Sequence, residues 1–364
     1  MKKILFAAYS LGLGGIETSL VTLLNSLSKK YEITLVLEKK EGIFLNKISP
    51  KINIIKFQPS NAKIVLIRKV INMIKQLKFK LKYKDKFDFA AAYATYSLSN
   101  GFVARTASKN SALWIHNDYM SLNNNSEEKT KKYYQELKIE QYKNVIFVSN
   151  KSKNEYLKMF PNSTNAVFCN NLIDGENILN KAKDEIPKED LIKINKKNET
   201  IFLNVGRHDE KQKRLTKMIN VAKRLKDDNF KFKILFVGEG QNTENYKKIV
   251  KEKNLEDVII FLGKKQNPYP YYKISDCVFL TSDYEGFPVV YLESMILNKP
   301  IITTDVSDYE EIEGKFGIVT TKDENDIYQK VKDYLENGFE IKEKFNYENY
   351  NAQVLSVIEK IINT

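Results

Sequence analysis

Residues 269–305 read YPYYKISDCVFLTSDYEGFPVVYLESMILNKPIITTD. Within them an apolar run, CVFLTS (277–282), meets a turn built on Gly286 and Pro288. A helical pattern then starts at Val290 and runs to Met295, and a second apolar run, PIITTD, follows at 300–305. Short β-branched runs that are apolar almost throughout, separated by helical stretches, indicate parallel strands covered on both faces.

The same alternation extends outward in both directions. Toward the C-terminus it adds GIVTT (317–321). Toward the N-terminus it adds VIIFLG (258–263), KILFVG (233–238) and TIFLNVG (200–206). An earlier series comprises KILFAA (3–8), EITLVLE (32–38), INIIKF (52–57), FDFAAAY (87–93), SALWIH (111–116), NVIFVS (144–149) and NAVFCN (165–170). The pattern restarts near residue 200, after a polar, charged stretch. The expected architecture is therefore α/β, with two Rossmann-like doubly wound domains facing an interdomain cleft, where such sheets hold their ligands. The expected boundaries are 1–174 for the first domain, 175–199 for a linker region and 200–340 for the second domain. A terminal helix pattern over 341–364 has no further strand after it and suits either a cap on the second domain or a crossing back to the first.

A chain of 364 residues accommodates two domains. Its 42% hydrophobic and 29% charged residues are ordinary for a folded protein. Cys169 and Cys277 each lie in an apolar run and read as buried thiols, and two histidines are too few for a histidine metal cluster. The start, MKKILFAAYSLGLGG, lacks an Ala-x-Ala exit and flows into a helical pattern, so it reads as a first buried strand rather than a signal peptide. A net charge of +13 implies an anionic partner. Residues 61–86 hold nine Lys or Arg against one Asp, with Ile64, Ile67, Ile71, Ile74 and Leu81 at three- and four-residue spacing. Two readings stand for this segment: a core-packed helix with a solvated basic face, or a helix lying on anionic lipid through Arg68, Lys69, Lys75, Lys78, Lys80 and Lys82. No aromatic stacking series accompanies the charge, so nucleic acid is not an expected partner.

Four places carry candidate chemistry. Gly12, Gly14 and Gly15 follow the first strand, where a glycine bend lets backbone N–H groups approach a phosphate at a helix start. His116 closes SALWIH, and Asp118 just after it is placed to cap a helix. Gly206 and Arg207 open a cationic turn in which Arg207 and Lys213 make a natural clamp for a diphosphate, while Lys211 and Arg214 read either as part of it or as a solvated charge face. Last, Glu285 and Glu293 lie eight positions apart around the Gly286–Phe287–Pro288–Val289 turn. There two carboxylates can accept hydrogen bonds from sugar hydroxyls while free backbone N–H groups meet other oxygens.

This last segment closely resembles the donor-site region of the retaining glycosyltransferases of family four, which have the GT-B fold and a Glu-x7-Glu hallmark supplied here by Glu285 and Glu293. GLGGIE (12–17), WIHND (114–118), GRHDEKQKRL (206–215) and FVGEG (236–240) resemble further family motifs in family order. NLID (171–174) is similar to an Asn-Pro-Ile-Asp segment with Leu172 in place of proline. The resemblance implies a retaining transfer from a nucleotide sugar, a UDP-hexose or UDP-N-acetylhexosamine by family frequency, with no required metal. The implied acceptor is a saccharide or a polyprenyl-diphosphate-linked oligosaccharide of a bacterial capsule or cell wall.

By position, Glu285 would contact the transferred sugar and Glu293 the ribose. Phe287, Pro288 and Val289 would place backbone groups around sugar and phosphate, and Arg207 and Lys213 would bind the diphosphate. Lys211 competes for that role, because the spacing is one residue longer than the commonest form. His116 would orient the sugar, and Gly14 with Gly15 would admit phosphate and acceptor. The implied location is cytoplasmic, with peripheral association at the inner face of the membrane expected from the basic segment. Nucleotide-sugar epimerases share the architecture, and a non-catalytic sugar-nucleotide or polysaccharide-binding protein is the alternative outside enzymology.

Overall fold

The computed structural model describes all residues, Met1–Thr364, and divides them into two compact units, Met1–Ile173 with Tyr350–Thr364 and Asp174–Asn349. The first unit carries seven strands: β1 (Lys3–Ala8), β2 (Glu32–Leu37), β3 (Asn53–Lys56), β4 (Phe89–Ala92), β5 (Ser111–Ile115), β6 (Asn144–Phe147) and β7 (Ala166–Phe168). They form one sheet in the order β3-β2-β1-β4-β5-β6-β7. Every pairing is parallel. The order reverses direction at β1, so the crevice beyond its carboxyl end is a switch point of the kind that holds ligands.

Near-continuous apolar strands demand cover on both faces, and the helices supply it. In the helix Gly15–Leu27 the buried Leu20, Leu23, Leu24 and Leu27 recur at the helical period. Phe6, Tyr93 and Trp114, on three adjacent strand segments, pack with ring centroids 5.2–6.3 Å apart.

The second unit carries β8 (Thr200–Val205), β9 (Phe232–Val237), β10 (Ile259–Gly263), β11 (Cys277–Phe279), β12 (Ile301–Thr304) and β13 (Gly317–Thr320). Their order is β10-β9-β8-β11-β12-β13, again all parallel. Its core is completed by the helix Leu215–Asp227, which buries Leu215, Met218, Ile219, Ala222 and Leu225 along one stripe. Cys169 and Cys277 are free and buried.

Residues 175–199, expected as a linker region, are structured and count with the second unit. They form the helices Gly175–Lys181 and Lys188–Ile194. The buried Asp190 anchors the latter: its carboxylate accepts from the Tyr271 hydroxyl and pairs with Lys265 at 2.5 Å. The ion pair that fixes this segment joins residues far apart in the chain, so the charged local sequence suits a linker and a surface helix but does not display the helix's partner. The last helix, Tyr347–Asn363, buries Val354, Ile358, Ile361 and Ile362. From Tyr350 onward it belongs with the first unit. There the Tyr350 hydroxyl donates to the Asn171 carbonyl at 3.0 Å and Asn351 Nδ2 to the Ile173 carbonyl at 2.7 Å.

The basic helix spans Val65–Tyr83 and buries only Phe79. Phe57 and Tyr83 each lie 4.9 Å from the Phe79 ring, centroid to centroid. The reading of a core-packed helix thus fails for most of this apolar series: Ile64, Ile67, Ile74 and Leu81 are exposed, and only Ile71 is half-buried. No helix of the chain is long and apolar enough to cross a membrane.

Candidate functional site

The richest constellation stands at the carboxyl ends of β8 and β11. After β8 the chain turns through Gly206 and Arg207 and reaches the helix Leu215–Asp227 by way of Arg214, which sits in the left-handed region at φ 51°. After β11 it runs through Thr281, Ser282 and Asp283 to Glu285. Thr281 Oγ1 donates to the carbonyls of Lys213 and Arg214, each at 3.1 Å, and Asp283 N to the Gln212 carbonyl at 2.8 Å, stitching the two loops together.

Side chains finish the stitching. Arg214 Nε and Lys217 Nζ donate to the Asp283 carboxylate at 2.5 and 2.7 Å. Burial pushes the Asp283 carboxyl up, but the two cations outweigh it and hold the group below its ordinary value. Arg214 is thereby tied to Asp283 across the two loops.

Glu285 is buried and held by three hydrogen bonds, with acceptor capacity left on Oε2. Lys213 Nζ donates to its Oε1 at 2.6 Å, Ser282 Oγ to the same oxygen at 2.8 Å, and Gln212 Nε2 to its Oε2 at 3.2 Å. Gln212 Oε1 in turn accepts from Arg207 at 3.3 Å, so one glutamine links the exposed arginine to the buried carboxylate. Lys213 also lies against Gly206, where an added Cβ would fall 3.5 Å from the lysine Cε. Lys211 is exposed, with its backbone N–H bound to Asp209 Oδ1 at 3.0 Å.

The turn after Glu285 is held from below, the Ser307 hydroxyl donating to the Gly286 carbonyl. Phe287 is buried with its ring edge-on to Tyr291 at 5.8 Å. Pro288 caps the helix Val289–Ile296, leaving its first N–H groups without a side-chain cap.

Glu293, in the second turn of that helix, is buried rather than presented to the N-terminal dipole. Its Oε2 accepts from the Tyr272 hydroxyl at 2.6 Å and its Oε1 from Tyr269 at 3.4 Å. Burial raises its pKa, and the two hydroxyls counter only part of the rise. Tyr269 and Tyr272, one helical turn apart in the segment Tyr269–Ile274, carried no sign in the sequence that they would meet a carboxylate about twenty residues on. Gln212 and Ser282 were equally unmarked, since short polar residues in loops are common.

On the first unit, Gly14 caps the helix Gly15–Leu27 in an extended conformation with no side-chain cap, so the amides at this helix start lack a side-chain acceptor from the cap residue. His116, just past β5, is half-buried against Tyr93 with ring centroids 4.8 Å apart, its two ring nitrogens withdrawn from solvent. Burial lowers its pKa to about 4, opposed weakly by the Tyr93 backbone, so the ring is neutral at physiological pH. Asp118 caps the short helix Tyr119–Leu122 through Ser121 N at 2.9 Å and pairs with Lys151 at 3.0 Å.

Two all-parallel α/β units of this kind define a GT-B protein, and solved structures share the fold. Anabaena HepE, solved with UDP and glucose, superposes with a TM-score of 0.75 at 16% identity, covering 99% of this chain and 100% of that one. A Staphylococcus aureus TarM variant, solved with fondaparinux, alpha-GlcNAc-glycerol and UDP, gives 0.76 at 15%, covering 100% of both chains. WaaG, a glycosyltransferase of lipopolysaccharide biosynthesis, gives 0.67 at 11%, covering 99% of this chain and 95% of that one. No curated protein matches by sequence. Residues 187–352 match the family model described as Glycosyl transferases group 1. The chain thus carries a glycosyltransferase group 1 domain and is a transferase.

Proposed function

We propose that the chain is a retaining glycosyltransferase of family four, transferring a hexose or N-acetylhexosamine from a UDP-sugar to a saccharide or lipid-linked saccharide of the bacterial cell surface. The observation that carries this reading is the Arg207–Gln212–Glu285–Lys213 cluster beside the uncapped helix Val289–Ile296. A buried carboxylate flanked by two cations and free amides suits a ligand with hydroxyls at one end and a diphosphate at the other. HepE has been solved with UDP-glucose and TarM with UDP, which favours the same donor class.

In this reading Glu285 meets the transferred sugar and Glu293 the ribose. The backbone of Gly286, Phe287, Pro288 and Val289 lines the sugar and phosphate. Arg207 and Lys213 take up the charge that develops on the departing diphosphate. The acceptor hydroxyl attacks as the sugar–phosphate bond breaks, and the leaving phosphate oxygen accepts its proton. Lys213, engaged with Glu285, is favoured over the solvent-facing Lys211. On the first unit, His116 is assigned to the sugar and the Gly14–Gly15 turn to phosphate and acceptor. A neutral imidazole can donate one hydrogen bond and accept another.

A mass-spectrometric screen of UDP-, GDP- and ADP-sugars against free and polyprenyl-diphosphate-linked saccharides tests the proposal. A product heavier than the acceptor by one sugar from a UDP donor is expected. Conversion of the donor to its epimer with no acceptor present, or donor binding without product across the panel, would overturn it.

A further inference from the structure

The helix Val65–Tyr83 carries six Lys or Arg and no acidic residue, and Phe79 alone is buried. Its inner side is tied down by polar contacts as well as by Phe79: Asn72 Oδ1 accepts from Ser60 N at 2.6 Å, and Lys75 Nζ donates to the Gln58 carbonyl at 2.8 Å. Nine positions separate Val70 from Phe79, about two and a half helical turns, so Val70 points directly away from the packed side. Leu66, Met73 and Leu77 lie on one side of Val70, and Ile67, Ile74 and Leu81 on the other. All seven are exposed, Leu66 at 71%, Met73 at 63% and Leu81 at 79%.

The result is one unbroken apolar stripe facing outward along a 19-residue helix. Helical geometry places Lys69 and Lys80 along one border and Lys78 and Lys82 along the other. A soluble surface rarely shows so large a contiguous apolar patch unless something covers it. We infer that this outer face of Val65–Tyr83 seats in the headgroup region of an anionic lipid surface, its apolar stripe inserted and its flanking lysines on the lipid phosphates.

Charge decides the occupant. A second copy of this chain would bring six further cations against these six with no acidic side chain on the helix to offset them. A lipid surface offers acyl chains to the stripe and phosphates to both borders at once. The inference extends the reading of a lipid-linked acceptor, yet it can fail or stand apart from it.

Full-length protein is sedimented with vesicles of phosphatidylcholine alone or mixed with phosphatidylglycerol, at low and high salt. The wild type is expected to partition onto the mixed vesicles, at least about tenfold more weakly after a combined Leu66→Gln, Val70→Gln and Leu77→Gln change. Because these side chains face away from Phe79, thermal melts should be unaltered; Leu81→Gln alone serves as a second, milder variant with a graded loss. Combined Lys78→Gln, Lys80→Gln and Lys82→Gln should abolish the preference for phosphatidylglycerol. Failure of the wild type to bind mixed vesicles, or unchanged binding by the apolar-face variants, would sink the inference. So would a dimer in analytical ultracentrifugation that the apolar-face variant dissolves, or capture of the face by an acidic protein in preference to vesicles. Sugar transfer to a soluble acceptor without vesicle binding would defeat this inference alone, whereas vesicle binding by a protein that uses no nucleotide sugar would defeat the proposed function alone.

Discussion

Lys213 Nζ lies 2.6 Å from Glu285 Oε1, and both side chains are largely withdrawn from solvent. Ser282 and Gln212 also donate to the carboxylate, so the charge of Glu285 is compensated by residues from two separate loops. Such a group is held in one orientation, which positioning chemistry requires.

Glu285→Gln keeps the shape of the side chain and removes its charge. Sugar transfer should fall by about a hundredfold or more, and because Lys213 loses its charge partner the second unit should also lose roughly 2–3 kcal/mol while still folding. Steady-state kinetics alongside thermal melts check this, and normal turnover would remove Glu285 from the site.

Lys213→Met takes away the charge partner of a buried carboxylate and should destabilise the second unit by roughly 3 kcal/mol, as buried pairs do when broken on one side. Lys211→Met, at an exposed position, should leave both stability and UDP binding within error. Urea unfolding and calorimetric UDP titration of the two variants would decide between the lysines; weaker UDP binding only in the Lys211 variant would reverse the assignment.

Tyr272→Phe deletes the 2.6 Å bond to Glu293 and leaves that carboxylate with Tyr269 at 3.4 Å. If Tyr272 positions Glu293 for the donor, KM for the nucleotide sugar should rise about tenfold with kcat little changed, alongside a stability loss of roughly 1–3 kcal/mol. A stability loss with unaltered KM would make the tyrosine structural only.

His116 titrates at about 4 when folded against 6.5 for an ordinary histidine. Between these values the unfolded chain binds a proton that the folded chain refuses, so the contribution is complete above the higher value and is lost as pH falls toward the lower. Acidifying from pH 7 to 4 should cost roughly 3 kcal/mol through this residue. Glu155 runs the other way, raised to about 7 by burial and by Asp118, but it is common to wild type and variant. The difference between wild type and His116→Gln in unfolding free energy, measured at both pH values, isolates the histidine; parallel curves would show that it is not buried neutral.

Gly238 has φ 152°, and a Cβ there would fall 1.8 Å from the Gly206 carbonyl oxygen. Gly238→Ala should therefore cost more than about 3 kcal/mol and disturb the Arg207 loop. Gly338→Ala, at φ 71° with nothing within 4 Å of the added carbon, should cost only about 1 kcal/mol. Equal losses in chemical denaturation would refute the close-approach argument.

The fold was legible because parallel strands buried on both faces leave apolar runs that local sequence displays. CVFLTS and KILFVG announce β11 and β9 within a residue or three. The basic helix misled in one respect: three- and four-residue spacing showed that an apolar face exists but not which way it turns. Phe79 faces inward only because Phe57 and Tyr83 meet it there.

The sequence by itself determined two doubly wound parallel sheets, the turns that follow their strands, and the candidates Arg207, Lys213, Glu285 and Glu293. These follow from periodicity and local turn chemistry, which act over a few residues. The tertiary structure alone decided that Lys213 rather than Lys211 faces Glu285, that Arg214 is held by Asp283, and that Glu293 rests on two tyrosine hydroxyls. Each of those contacts joins residues about twenty to seventy positions apart, and a side chain's partner at that range is set by how strands and loops pack, not by its neighbours along the chain.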